Sequence, residues 1–145
     1  MLLSGGTGGA KLARGLLDVC DQLTVVANTG DDAQVYGAHV SPDPDLVTYW
    51  LADEIDPRGW GLRGDTSRVM DALRAAGQPV WFHLGDRDLA MCLVRTALLR
   101  EGRRLTEAHA AVVSAMEVPA RVLPMSDQPI DTGTTEMALS FSITA

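Results

Sequence analysis

Apolar residues recur along this chain in two rhythms, that of helices lying on a sheet and that of buried strands. Residues 12–20 are apolar at positions 12, 16, 17, 19 and 20, which predicts a helix with one packed face. Leu23-Thr24-Val25-Val26-Ala27 is a short, β-branched, mostly apolar run, as parallel strands are when both faces are covered. Asp45 is a good N-cap for a helix over residues 46 to about 53, and Asp65 or Thr66 for one ending at Ala76, with Gly77 at C′. A helix over residues 89–101 is closed by Gly102, and Thr106 with Glu107 opens another to about Met116. Strands are expected at Val80-Trp81-Phe82-His83-Leu84 and at residues 120–123. Met1-Leu2-Leu3 would be a first strand of only ~10 Å at 3.3 Å per residue, short for its class.

Strands alternating with helices imply an α/β fold, a Rossmann-like three-layer sandwich with a mostly parallel sheet and right-handed crossovers. Residues 1–127 make one domain. Residues 128–145 are an atypical or truncated tail: Thr132-Gly133-Thr134-Thr135 and a weak apolar stretch close no unit.

The polar clusters fall where those strands end. Ser4-Gly5-Gly6-Thr7-Gly8-Gly9-Ala10-Lys11 holds four glycines and the only lysine of the chain. A glycine turn at a helix N-terminus leaves no Cβ between its peptide N–H groups and a bound anion, so Gly5, Gly6, Thr7, Gly8, Gly9 and Lys11 are candidates to hold phosphate. The loop lacks the Gly-Lys-Ser/Thr ending of a Walker A motif and only partly matches Gly-x-Gly-x-x-Gly, so it specifies an anion rather than a nucleotide. A plain packing turn is the alternative.

Asn28-Thr29-Gly30-Asp31-Asp32 follows the second strand. It is either a turn capped by its own Asx side chains or, since adjacent carboxylates repel unless a cation sits between them, part of a Mg²⁺ site. Asp31, Asp32 and Asp43 are the candidate metal ligands, not all of them together, because Mg²⁺ takes one or two carboxylates beside phosphate oxygens and waters. Gly85-Asp86-Arg87-Asp88 is either a helix N-terminus with acids favoured by the dipole or a binding loop whose arginine pairs with an anion. His39, His83 and His109 have no metal-ligand spacing, and Trp60 lies in a loop where its ring could stack on a heterocycle.

Composition narrows the classes. A net charge of −7 and a pI of 4.7 argue against an extended nucleic-acid surface. No apolar run approaches the ~20 residues of a membrane span. No secretory leader pattern is present, and Cys20 and Cys92 both fall among apolar residues, so a reduced cytoplasmic protein with both thiols in the core is expected.

Taken in order, Ser4 to Lys11, Asn28 to Asp32, Ser41 to Asp45, Gly64-Asp65-Thr66, Leu84 to Asp88 and Pro124 to Asp127 resemble the motif series of the 2-phospho-L-lactate transferase family. The resemblance implies transfer of a phospholactyl or phosphoenolpyruvyl group from a guanosine diphosphate conjugate to the terminal hydroxyl of the deazaflavin Fo. Mg²⁺ assists and GMP leaves, in coenzyme F420 biosynthesis. It implies that the glycine segment with Lys11 and Asn28 holds the diphosphate, that Asp31, Asp32 or Asp43 binds Mg²⁺, and that Asp86, Arg87 and Asp88 line the transfer site as catalytic residues. Its implied partners are these small molecules and, with the analogy carried further, a second copy in a homodimer. Family members are about twice this length as the resemblance has it, so the chain is expected to be an N-terminal piece, inactive alone. The competing expectation is a non-catalytic nucleotide-sugar-binding regulator related to the gluconeogenesis-factor proteins.

Overall fold

The structure, a computed structural model, describes residues 1–130. Its elements in chain order are β1 (Leu2–Ser4), α1 (Gly6–Leu17), β2 (Thr24–Ala27), β3 (Ala33–Val35), β4 (Ala38–Val40), α2 (Pro42–Leu51), α3 (Arg68–Ala75), α4 (Asp86–Arg100), α5 (Leu105–Ala115) and β5 (Arg121–Pro124). The three strands β1, β2 and β5 form a parallel sheet in the order β1-β2-β5, with helical crossovers, which is the Rossmann-like α/β class expected. Most of the tail, residues 131–145, lies outside the described residues.

Register decides which side of the sheet is core. Leu2 pairs with Val25 and Val25 with Val122, so these side chains share a face, and they pack with Ala10 and Ala13 of α1 and Val47 and Leu51 of α2. Alanines on α1 let the helix lie close to the strands. Leu3, Val26 and Leu123 share the opposite face, where Leu3 is 77% exposed.

Three elements differ from the sequence-based reading. Residues 80–84 form no strand; that segment is held instead by Tyr36, whose hydroxyl donates to the Phe82 carbonyl at 2.7 Å and accepts from the Phe82 N–H at 2.9 Å. Tyr36 sits at the tip of a hairpin, β3–β4, that the apolar pattern did not reveal. Its two-residue turn has φ of 52° at Tyr36 and 82° at Gly37, a conformation usually written Asn-Gly. The third difference is Asp45, which lies inside the first turn of α2 rather than capping it, because the helix already starts at Pro42, a residue suited to a first turn.

The cysteines divide: Cys92 is buried in α4, whereas Cys20 is exposed after α1 and is not a core thiol. His83, placed in an apolar strand by pattern alone, is exposed.

Candidate phosphate and metal site

The parallel strands β1 and β2 end side by side, and the chain turns sharply after each. Past β1, Gly6 opens α1 at φ +65°, a left-handed conformation that a side chain would strain. Gly9 sits under β1, where a Cβ would stand 2.3 Å from Ser4 Oγ and 3.0 Å from Ser4 Cα. The expected glycine loop is thus corrected to a helix start: only Gly5 precedes α1, while Gly6, Thr7, Gly8 and Gly9 form its opening turns. Lys11 falls in the second turn, with Nζ 5.6 Å from the Trp50 ring centroid, a cation–π contact away from the helix tip.

The helix N-terminus meets an anion from its own chain. The Gly6 N–H donates to Asp43 Oδ1 at 2.8 Å, which places a carboxylate where the macrodipole favours negative charge. Asp43 Oδ2 accepts from Asn28 Nδ2 at 3.0 Å, and the same amide reaches Asp31 Oδ2 at 3.4 Å. Asn28 is itself fixed: its Oδ1 accepts from the Gly30 N–H at 3.0 Å and its backbone N–H donates to the Ser4 carbonyl at 2.9 Å. One carboxamide therefore stands between two carboxylates at the tips of β1 and β2, the end at which parallel sheets bind ligands.

Asp32 turns elsewhere. Ser41 Oγ donates to its Oδ1 at 2.7 Å and His39 Nε2 lies 3.0 Å from its Oδ2, tying the β3–β4 hairpin to the start of α2. Asp31 and Asp43 are then the pair that matches the one or two carboxylates of a Mg²⁺ site, with a phosphate left to complete it. Two buried hydroxyls at the same strand ends, Ser4 Oγ and Thr29 Oγ1, have no hydrogen-bond partner among the described residues. Such orphaned groups fit a polar ligand at these tips. Thr29 also lines a cavity of about 350 Å³ with Asp32, Gln34, His39, Leu105 and Asp127.

The Gly85–Asp88 motif is used differently from its expected catalytic role. Asp86 caps α3, accepting from the N–H groups of Arg68 at 3.1 Å and Val69 at 3.0 Å and from the Thr66 hydroxyl, which holds its carboxyl below the usual range. In return Asp65 caps α4, accepting from the N–H groups of Arg87 and Asp88. Two helix starts thus exchange caps. Arg87 is the member of the motif with its head at the surface, 3.2 Å from Glu54 Oε2 and from the Arg63 carbonyl. Asp88 faces inward and accepts from the Tyr49 hydroxyl at 2.6 Å; burial, with Asp45 and Asp65 nearby, pushes its carboxyl up to about 6.

Behind Asp88 lies a buried polar network without a sequence signature. Arg95 of α4 donates to both oxygens of Asp45, at 2.6 and 2.7 Å, and to the His39 carbonyl at 3.2 Å. Burial opposes the guanidinium charge, but Asp45 more than offsets this and raises its pKa. His109 Nδ1 lies 3.3 Å from Arg95 Nη1. Since arginine only donates, Nδ1 is the acceptor and the imidazole proton sits on Nε2, 3.1 Å from Thr48 Oγ1, which donates onward to the Pro44 carbonyl at 2.7 Å. Burial accordingly pulls His109 down to about 4, in the neutral form. Asp45, Asp88 and Cys92 bring ligand-type atoms within 4.8 Å of one another. Asp45 is spent on Arg95 and burial raises the Cys92 thiol, so this is packing rather than a metal centre. Trp60 stacks on the Arg58 guanidinium, 4.3 Å from the ring centroid, so one face of its ring is taken.

A parallel sheet of three strands with helical crossovers, with a helix start held by Asp43 and acids gathered at the strand tips, defines a Rossmann-like α/β protein. The chain belongs to the 2-phospho-L-lactate transferase CofD family, whose model matches residues 1–138. It is 42% identical over 135 residues to the 2-phospho-L-lactate transferase of Methanosarcina acetivorans, covering 91% of this chain and 44% of the relative. It is 41% identical over 144 residues to the phosphoenolpyruvate transferase of Mycolicibacterium smegmatis, covering 90% and 44%. The chain thus spans somewhat less than half the length of the curated relatives it matches. Among the described residues no helix is long and apolar enough to cross a membrane.

Proposed function

We propose that this chain supplies the phosphate-binding part of a transferase of coenzyme F420 biosynthesis. The enzyme would move a phospholactyl or phosphoenolpyruvyl group from its guanosine diphosphate conjugate to the terminal hydroxyl of the deazaflavin Fo. In that step the hydroxyl oxygen bonds to the phosphorus bearing the transferred group and gives up its proton to a base or to water, the bond from this phosphorus to the GMP oxygen breaks, and GMP leaves with the electron pair. The observation that carries the reading is the Gly6–Asp43–Asn28–Asp31 cluster at the tips of β1 and β2 in a chain related to transferases. The family match and relatives named as transferases favour this reading over a nucleotide-sugar-binding regulator.

Roles divide by what each residue already does. The N–H groups of the first turn of α1 beyond Gly6 orient the diphosphate, while Asp43 and Asp31, held by the Gly6 N–H and the Asn28 amide, are the residues to hold Mg²⁺. When bound, that ion neutralises charge on the diphosphate. Asp86, Arg87 and Asp88 anchor the start of α4 beside Tyr49 and Glu54, at the C-terminal end of α2, whereas Asp43 lies in the first turn of that helix. A cytoplasmic setting and a homodimer belong to the same proposal.

Calorimetric titration of GDP with and without MgCl₂ tests the site. Mg²⁺-dependent binding that weakens tenfold or more in Asp43→Asn and several-fold in Asp31→Asn, but little in Asp32→Asn, is expected. Binding indifferent to Mg²⁺ and to Asp43 would defeat the reading.

A further inference from the structure

Asp31 and Asp43 stand on the two arms of the β3–β4 hairpin, just beyond its open end. The strands pair at three rungs, Ala33 with Val40, Gln34 with His39 and Val35 with Ala38. The next positions in that register are Asp32 and Ser41, where the ladder continues in side chains: Ser41 Oγ donates to Asp32 Oδ1 at 2.7 Å. Asp31 lies one residue outside this rung on one arm and Asp43 two residues outside it on the other. A two-stranded hairpin is marginal in water by itself, so its open end has to be fixed by the rest of the fold.

α4 does the fixing, through His39. The His39 N–H donates to Thr96 Oγ1 at 2.7 Å, and its carbonyl accepts from Arg95 at 3.2 Å. Its ring spans the hairpin, with Nδ1 3.3 Å from Gln34 Nε2 and Nε2 3.0 Å from Asp32 Oδ2. An amide nitrogen only donates, so Nδ1 is the acceptor and the Nε2 proton goes to Asp32. Both oxygens of Asp32 are thus engaged by the β4 arm, and Ser41 is fully buried. Ser41 in turn starts α2: its carbonyl accepts from the Asp45 N–H at 3.0 Å, and Asp43 lies in the turn so formed, bonded to the Gly6 N–H.

We infer that Asp32 is a positioning residue, which through Ser41 sets the separation of Asp31 and Asp43 and so the fit of that pair to a small cation. The inference rests on the reading of Asp31 and Asp43 as the Mg²⁺ pair. Mg²⁺ demands near-ideal octahedral geometry at about 2.0–2.1 Å, whereas Ca²⁺ accepts longer and more variable distances, so a loosened pair loses Mg²⁺ first.

Proton–nitrogen NMR of the 145-residue chain tests the brace without any metal. The Asp43 carboxylate draws the Gly6 amide proton downfield, and Asp43→Ala gives its position with that bond lost. In Asp32→Ala and in Ser41→Ala the resonance should move roughly half of that distance or more. In Asp32→Asn, whose carboxamide still accepts from Ser41, it should stay near the parent position. Val112→Ala, a buried change in α5, should lower stability and leave the Gly6 resonance in place. Calorimetry of GDP binding is the second readout: Asp32→Ala should weaken Mg²⁺-supported binding roughly tenfold and Ca²⁺-supported binding about threefold at most. An unmoved Gly6 resonance in Asp32→Ala and Ser41→Ala, an Asp32→Asn displaced as far as Asp32→Ala, or equal losses with the two cations would each overturn the inference. GDP binding by the parent that ignores Mg²⁺ would instead sink the proposed function, and the Gly6 resonance would still decide whether Asp32 braces Asp43.

Discussion

Removing the Asp45 carboxylate should be among the most damaging single changes in this chain. Arg95 is fully buried and Asp45 nearly so, and the carboxylate takes two guanidinium hydrogen bonds of 2.6 and 2.7 Å. In Asp45→Ala the guanidinium keeps only neutral acceptors, the His39 carbonyl, His109 Nδ1 and Cys92 Sγ, and no counter-charge among its hydrogen-bond partners. Breaking a buried ion pair from one side costs about 3–5 kcal/mol, and this pair has no water to retreat to, so the upper part of that range is expected. With a few degrees lost per kcal/mol in a domain of this size, the thermal midpoint should fall by roughly 10–20 °C. Circular dichroism melts and urea titrations measure it. The double change Asp45→Leu with Arg95→Met removes both charges and should recover most of the loss, short by about 1–3 kcal/mol for the His39 carbonyl left without its donor. A loss below about 1 kcal/mol in Asp45→Ala, with unchanged urea dependence, would refute the view that the change leaves Arg95 as a buried, uncompensated charge.

Two buried groups should make stability depend on pH in opposite directions. Asp88, pushed up to about 6, binds its proton more tightly folded than unfolded, so stability falls as pH rises through roughly 4 to 6, by about 1.4 kcal/mol per unit at most. His109, pulled down to about 4, binds its proton less tightly folded, so stability falls as pH drops from about 6.5 towards 4. The parent should therefore show a shallow profile over this range. Asp88→Asn, which keeps an acceptor for Tyr49, should uncover acid lability, and His109→Gln should uncover the opposite slope; urea midpoints from pH 4 to 8 would show either, and unchanged slopes would contradict the assignment. Gly9→Ala should cost about 1–3 kcal/mol by pushing α1 off Ser4, and a parent-like melt would show that the helix can shift without loss.

The wrong strand at residues 80–84 and the missed hairpin share a cause. Val80 to Leu84 has the composition of a buried strand, yet its backbone partner is a tyrosine hydroxyl from Tyr36, which no local pattern can announce. Tyr36-Gly37 makes a tight turn without the Asn-Gly that marks such turns, because its ring is anchored 46 residues away. The Gly85–Asp88 motif was legible as a helix start but not in its use, since the exchange of caps between Asp65 and Asp86 depends on α3 and α4 beginning side by side.

The sequence by itself determined the α/β alternation, the β1, β2 and β5 strands, and the gathering of polar residues at their ends, because periodicity and glycine placement are local properties of the chain. It also carried the family. Tertiary structure alone decided which acids serve which purpose: Asp43 at the tip of α1, Asp31 across Asn28, Asp32 on Ser41 and His39, Asp45 on Arg95. These five carboxylate contacts, like those of His109, join residues of different elements or span sharp turns. Charge and hydrogen-bond capacity are written in the residue type, but the partner that uses them is chosen only when the elements pack.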